Sequence, residues 1–243
     1  MIYITGDVHG LKGLDRFKSD YFLSKINKKG NYVIITGDSG VTWDKKTLKF
    51  CKEFYSKYDC KFLFVDGNND NFDILDNLPV DNFAGGKVHK LTDNLIHLMR
   101  GEIFTLEGQT FLAFGGADSY DAPIRFLYST RKVGKSWWKR ECPSKEEFEN
   151  ALNNLKKHNN EVDYIITHEG TTAYASSFFS KDYETCHMND VIMQTAKFKQ
   201  WFAGHHHENK MACGICCVFD KFISLPVLDK TSQKSQKNDE LIL

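Results

Sequence analysis

The sequence carries no net charge: 32 Lys and Arg are matched by 32 Asp and Glu across 243 residues. A protein that coats nucleic acid or an anionic membrane needs an excess of basic side chains, so bulk binding of either kind is not expected, and only a local basic groove stays open. Long apolar runs are also lacking. The opening residues, MIYITGD, have neither the basic flank nor the apolar stretch of a signal peptide or membrane span, which leads us to expect a cytoplasmic protein. No internal repeat and no linker interrupts the chain. A second cysteine pair is missing as well. Cys213-Gly-Ile-Cys216 stands alone, whereas a structural zinc site normally draws on two such pairs. The seven cysteines (51, 60, 142, 186, 213, 216 and 217) read as reduced thiols acting mostly as small core residues.

What is present is enough for a large core: 41% of residues are hydrophobic and 14% aromatic. One domain over residues 1–229 is expected, followed by a polar, flexible tail over 230–243. Short β-rich runs recur at Ile2–Thr5, Tyr32–Thr36, Phe62–Val65, Tyr164–Thr167 and Trp201–Ala203, each closed by a Gly, Asp or His turn. Nearly unbroken apolar character over four or five residues predicts strands covered on both faces, as in a layered α/β protein. Three- and four-residue apolar steps predict helices over Leu11–Ile26 and Leu48–Tyr55. Ser144-Lys-Glu-Glu147 reads as a capping box opening a helix to Lys157. A β-meander is expected over 96–116, and two last strands over Met211–Leu228.

Metal-binding residue types follow these strands, the place where open α/β sheets keep their sites. Asp7 and His9 are spaced by two, as residues sharing one side of an extended chain would be. Asp38, Asn68 and His168 follow later strands, and His205 and His207 repeat the spacing by two. Any one block alone reads as an ordinary turn, but five in the same relative place are hard to reconcile with independent turns. Carboxylates mixed with imidazoles suit Mn, Fe, Zn or Co better than Mg or Ca. His206, between two of these residues, is expected to point away.

The ordered set Gly6-Asp7-Val8-His9, Gly37-Asp38, Gly67-Asn68-Asn69-Asp70, Thr167-His168 and Gly204-His205-His206-His207 resembles the calcineurin-like metallophosphoesterase superfamily, whose pattern is D-x-H, G-D, G-N-H-[DE], H and G-H-x-H. The resemblance implies an α/β fold of the α+β type, a four-layer sandwich of two mixed β-sheets flanked by helices, with a dinuclear metal site at strand C-terminal ends. It implies two divalent ions, Mn²⁺ first and Fe, Zn or Co as alternatives. Asp7, His9 and His207 would hold one ion, Asn68, His168 and His205 the other, and Asp38 would bridge them. The implied activity is hydrolysis of a phosphate ester by a hydroxide bridging the metals, with a phosphodiester or nucleotide-like substrate preferred. A phosphomonoesterase or protein phosphatase is the alternative, and a metal-bound interaction scaffold is the alternative of another class.

The chain departs from this pattern at Asn69, where the family usually has His. An amide donates a hydrogen bond but delivers no proton at neutral pH, so Asn69 is expected to bind phosphoryl oxygens, with Asp70 orienting its neighbours. The segment from Gly115 to Glu141, with Arg125, Arg131, Trp137 and Trp138, reads in two ways. It is either a substrate wall, with the arginines clamping phosphate and a tryptophan stacking a base, or a surface loop whose tryptophans pack on the core. His187 is read either as a replacement acid or as an ordinary helix-start histidine. Expected partners are therefore a phosphorylated small molecule or nucleotide, and no membrane.

Overall fold

A computed structural model describes residues 1–124, 127–181 and 183–226 of the chain. Arg125 and the tail expected from residue 230 lie outside the described residues.

Among the described residues, thirteen strands form two mixed sheets. The first sheet contains β1 (Ile2–Thr5), β2 (Tyr32–Ile35), β3 (Lys61–Phe64), β4 (Val80–Phe83), β5 (Gly86–Lys90) and β6 (Leu95–Leu98). The second contains β7 (Glu102–Leu106), β8 (Gln109–Phe114), β9 (Tyr164–Thr167), β10 (Gln200–Ala203), β11 (Lys210–Ala212) and β12 (Ile215–Cys217). A two-residue strand, β13 (Ile223–Ser224), returns to the outer edge of β1. Strand order is β13-β1-β2-β3-β6-β5-β4 in the first sheet and β11-β12-β10-β9-β8-β7 in the second. Each sheet has a parallel centre and antiparallel edges: β1, β2, β3 and β6 run parallel, as do β8, β9, β10 and β12.

The period-two alternation of the strands builds the layers. Ile2, Ile4, Ile34 and Leu63 point into a core shared with Phe104, Phe111, Tyr164 and Phe202 of the second sheet. Their neighbours Tyr3, Val33, Ile35, Phe62 and Phe64 point outward, onto α1 (Lys45–Tyr55) and the turns before β2. On the far side, Leu112, Phe114, Ile165 and Trp201 pack against α3 (Lys145–Lys157) and α5 (Glu184–Thr195), with Tyr174 of the short α4 (Thr172–Ser176). Another short helix, α2 (Phe72–Leu75), follows the third strand. Helix, sheet, sheet, helix is the expected four-layer sandwich. Fully burying one such Phe, Ile or Leu contributes about 1.5–3 kcal/mol, so these three apolar layers carry the fold.

Two expectations are corrected. The helix predicted over Leu11–Ile26 is absent. In its place are 3-10 turns at Gly10–Lys12 and Leu14–Lys18 and a wide π turn at Phe22–Ile26. Extended Ser19 resets the phase between them, so that Phe17 and Phe22, five residues apart, both pack on Phe62. The meander is also split. β6 pairs with β3 and β5, whereas β7 and β8 begin the other sheet, and the chain crosses between them at Arg100–Gly101, where Gly101 has φ +79°. The capping box at Ser144 forms in full, with Ser144 and Glu147 each satisfying the other's backbone N–H.

Candidate metal centre

Both sheets turn the C-terminal ends of their parallel strands toward one cleft. Loops of the first sheet contribute Asp7, His9, Asp38 and Asn68, and loops of the second contribute His168, His205 and His207. Among the described residues no strand pair joins the sheets, so the site lies across their seam. The strands have ended before the spaced pairs, and backbone turns rather than strand alternation aim the side chains. His9, Asp38, His205 and His207 have φ of 51°, 45°, 71° and 53°. A left-handed conformation costs a non-glycine residue on the order of 1–3 kcal/mol, and such strain concentrates at functional sites. Close approach is the second device. A Cβ on Gly67 would meet Asp38 Oδ1 at 2.2 Å, and one on Gly204 would meet Asp7 Oδ1 at 2.4 Å, so each glycine makes room for a carboxylate from a neighbouring loop.

Two groups of side chains converge closely enough to share an ion: Asp7 with His9 and His207, and Asp7 with Asp38 and His168. His9 Nε2 and His207 Nε2 face each other at 2.8 Å, and His207 Nε2 is 3.1 Å from Asp7 Oδ2. On the other side His168 Nε2 lies 3.2 Å from Asn68 Oδ1 and 3.5 Å from Asp38 Oδ1. His168 Nδ1 faces the Thr36 carbonyl at 2.8 Å, which leaves Nε2 turned into the cleft. His205 stands apart from both groups. Its ring packs edge-on to His168 at 5.0 Å with Nε2 3.6 Å from Glu169, while its backbone N–H donates to Asp7 Oδ1. His206 points away as expected, onto Glu169 and flat against Phe178.

The residues fit a divalent cation. Asp7 Oδ2 is buried and accepts no well-formed hydrogen bond, and an oxygen so placed is costly unless a cation faces it. Burial disfavours a charged His168, yet Asp38 and Asp7 outweigh it and push its pKa up to about 10, a measure of how strongly the two carboxylates attract positive charge. Burial lowers His9 against the pull of Asp38 and Asp7, and lowers His205 to about 4 against that of Glu169. Both imidazoles are therefore neutral at pH 7, the form that ligates metal.

Asn69 donates to Asp38 twice, from its backbone N–H at 2.8 Å and from Nδ2 at 2.6 Å. Arg131 reaches into the site, donating to Asn69 Oδ1 at 3.2 Å and pairing with Asp121 at 2.7 Å. This fixes the amide with its NH₂ toward the cleft. Asp70 is fully buried, accepting from Gly67 N–H and Thr42, and its place is in the loop's scaffolding. Trp137 and Trp138 are core residues at 4% and 6% exposure, Trp138 packing on Phe72 and Leu75, so neither stacks a base. His187 is exposed in the first turn of α5, the ordinary position of the two considered.

Three residues were not singled out by the sequence. Glu169 follows His168 directly and holds His205 and His206. Ser119 accepts from Asn68 Nδ2 at 3.0 Å and in turn donates to buried Glu141 at 2.7 Å. Trp43 lines the cleft beside His9 and His207. Only Glu169 left a trace, as an acid adjacent to a ligand-type histidine; the others depend on loop paths that spacing does not encode.

The family model for calcineurin-like phosphoesterases matches residues 1–209, which takes in every residue of this cleft from Asp7 to His207. No match was found among curated proteins. With the family's ordered blocks present save for Asn69, and its two-sheet architecture and Asp/His cluster in place, the chain belongs to the calcineurin-like phosphoesterases, metal-dependent hydrolases of phosphate esters.

Proposed function

We propose that the protein is a dinuclear phosphoesterase acting on a phosphodiester or nucleotide-like substrate. Asp7, His9 and His207 would hold one divalent ion in this reading, Asn68, His168 and His205 would hold the other, and Asp38 would serve both. Mn²⁺ is the first choice, with Fe, Zn or Co as alternatives, since imidazole and carboxylate together suit the transition ions as a class. When bound, such a pair activates water and neutralises phosphoryl oxygens.

The chain's own residues do the rest. Asn69 presents its NH₂ to a phosphoryl oxygen, held in that orientation by Arg131 on its Oδ1. Arg131 adds positive charge beside the phosphate, as does Arg125 in this proposal. Asp70 positions the loop through Gly67 and Thr42. Phosphodiesterases of this superfamily more often dispense with the histidine of the third block, so the diester preference is carried by Asn69 itself. It protonates no leaving group, so departure depends on how well the leaving oxygen bears negative charge. Esters with acidic leaving groups are favoured, among them aryl diesters and the anhydride-like bonds of nucleotides.

The test compares Mn²⁺-loaded protein on bis(4-nitrophenyl) phosphate and 4-nitrophenyl phosphate. Faster diester turnover is expected, and faster monoester turnover would overturn the preference. No turnover of either, with two ions bound, would favour the scaffold reading. Asp38→Asn should lose activity and bound metal together, and two retained ions per chain would count against the bridging role.

A further inference from the structure

The cleft does not end at the metal-type ligands. A space of about 660 Å³ continues from His9, His207 and Asn69 along a wall made of Leu11, Lys12 and Trp43. That volume is far larger than a phosphoryl group fills, and falls in the range of sites for whole small molecules. The wall is also rigidly built. Gly40 packs on the backbone of His9 and Gly10 so tightly that a Cβ there would lie 2.1 Å from Gly10 N. The Trp43 carbonyl accepts from Asn71 Nδ2, and neighbouring Thr42 donates to Asp70, so the tryptophan is tied to the loop that carries Asn68 and Asn69.

Of the four tryptophans in the sequence, Trp137, Trp138 and Trp201 are buried at 4%, 6% and 0% exposure, while Trp43 is 42% exposed. Leu11 beside it is 59% exposed. Scattered apolar residues on a surface need no explanation, but these two share a concave wall with the candidate metal centre and a lysine. A flat aromatic face, an aliphatic flank and a cation beside a phosphate-binding centre match a planar ring joined to phosphate.

Resting on the phosphoesterase reading above, we infer that Trp43 is the specificity residue of the site: it stacks the base of a nucleoside phosphate ester whose phosphorus lies at the metal centre, with Leu11 flanking the ring and Lys12 meeting a further anionic group.

The test uses two phosphodiesters with the same 4-nitrophenolate leaving group. The other ester arm is thymidine in one and methyl in the other. The Mn²⁺-loaded protein should favour the thymidine ester by roughly tenfold or more in kcat/KM, and Trp43→Ala should bring that ratio close to one. No preference in the unsubstituted protein, or an unchanged ratio in the variant, would overturn the inference. A second readout needs no turnover. Thymidine monophosphate should quench the fluorescence of the Mn²⁺-loaded protein, inorganic phosphate should not, and Trp43→Phe should abolish the quenching. Failure to quench at millimolar nucleotide overturns the stacking role even if both esters are hydrolysed. Quenching without hydrolysis of either ester overturns the phosphoesterase reading and leaves the stacking role standing.

Discussion

Asn68 has two ends, and both are spoken for. Its carbonyl oxygen faces His168, and its NH₂ donates to Ser119, which donates onward to Glu141. An amide can flip at little cost unless something holds it, and Ser119 is that hold. Ser119→Ala should weaken metal binding by about 10–100-fold, the usual effect of losing a partner behind a ligand, while the metal-free protein stays folded, its melting temperature lowered only by the few degrees that one lost hydrogen bond to Glu141 costs. Titration calorimetry with Mn²⁺ and a thermal scan in chelator would separate the two. At Asn69 the expected effect is on leaving groups. Across aryl diesters of increasing leaving-group pKa the native rate should fall steeply, and Asn69→His should flatten that slope by supplying a proton. At this scale the ligand-type residues were legible because their chemistry is carried by residue type. Ser119 was not, since a serine some fifty positions from its partner carries no local signal.

Elements behave differently. The central strands were visible because each is covered on both faces, which writes an unbroken apolar run into the sequence; Ile34 and Val33 face opposite cores yet are both fully buried. Helix α3 was visible through its cap, and Ser144→Ala should lower stability by about 1 kcal/mol, seen as a small drop in melting temperature without loss of activity. The region from Leu11 to Ile26 misled because a three-and-four spacing cannot reveal the extended residue at Ser19 that divides it. The hairpin of β4 and β5 also went unread, since the Val80–Phe83 strand is mostly exposed and carries no apolar alternation. The loops that carry the candidate ligands depend on close approach. Gly67→Ala would set a methyl group against Asp38, so bound metal should fall sharply, by elemental analysis, while circular dichroism stays near native.

At the scale of the whole molecule, a buried charged chain ties the layers together. Arg100, at the crossing between the sheets, pairs with Asp66 beyond β3 and with Glu147 of α3, and Asp66 also faces His97 at 3.1 Å. Burial opposes ionisation of Asp66, but Arg100 and His97 outweigh it and hold its pKa below the usual carboxylate range. His89, facing His97, is lowered by burial and by that neighbour to about 4, against an ordinary 6.5. Its neutral form is the one the fold keeps. The contribution of His89 is therefore present above pH 6.5 and lost as pH falls toward 4, with that of Asp66 lost below the ordinary carboxylate pKa. Buried Asp70 and Glu141, both raised to about 7, act in the opposite sense over this range, so the comparison is with a variant: between pH 7 and 4 the urea midpoint of His89→Phe should fall less, or rise more, than that of the unsubstituted protein. Asp66→Ala should cost about 3–5 kcal/mol by leaving Arg100 buried alone.

The seam between the sheets has one more consequence. In the proposed reading, ions bound by Asp7 and Asp38 on one side and by His168 and His207 on the other would add a cross-link to the apolar core shared by two sheets that, among the described residues, have no strand pairing with each other. Chelation should lower the melting temperature by roughly 5–10 °C for each ion normally present at a hundred times its dissociation constant. The same linkage should appear in proteolysis, with the chelated protein cut faster than the metal-loaded protein.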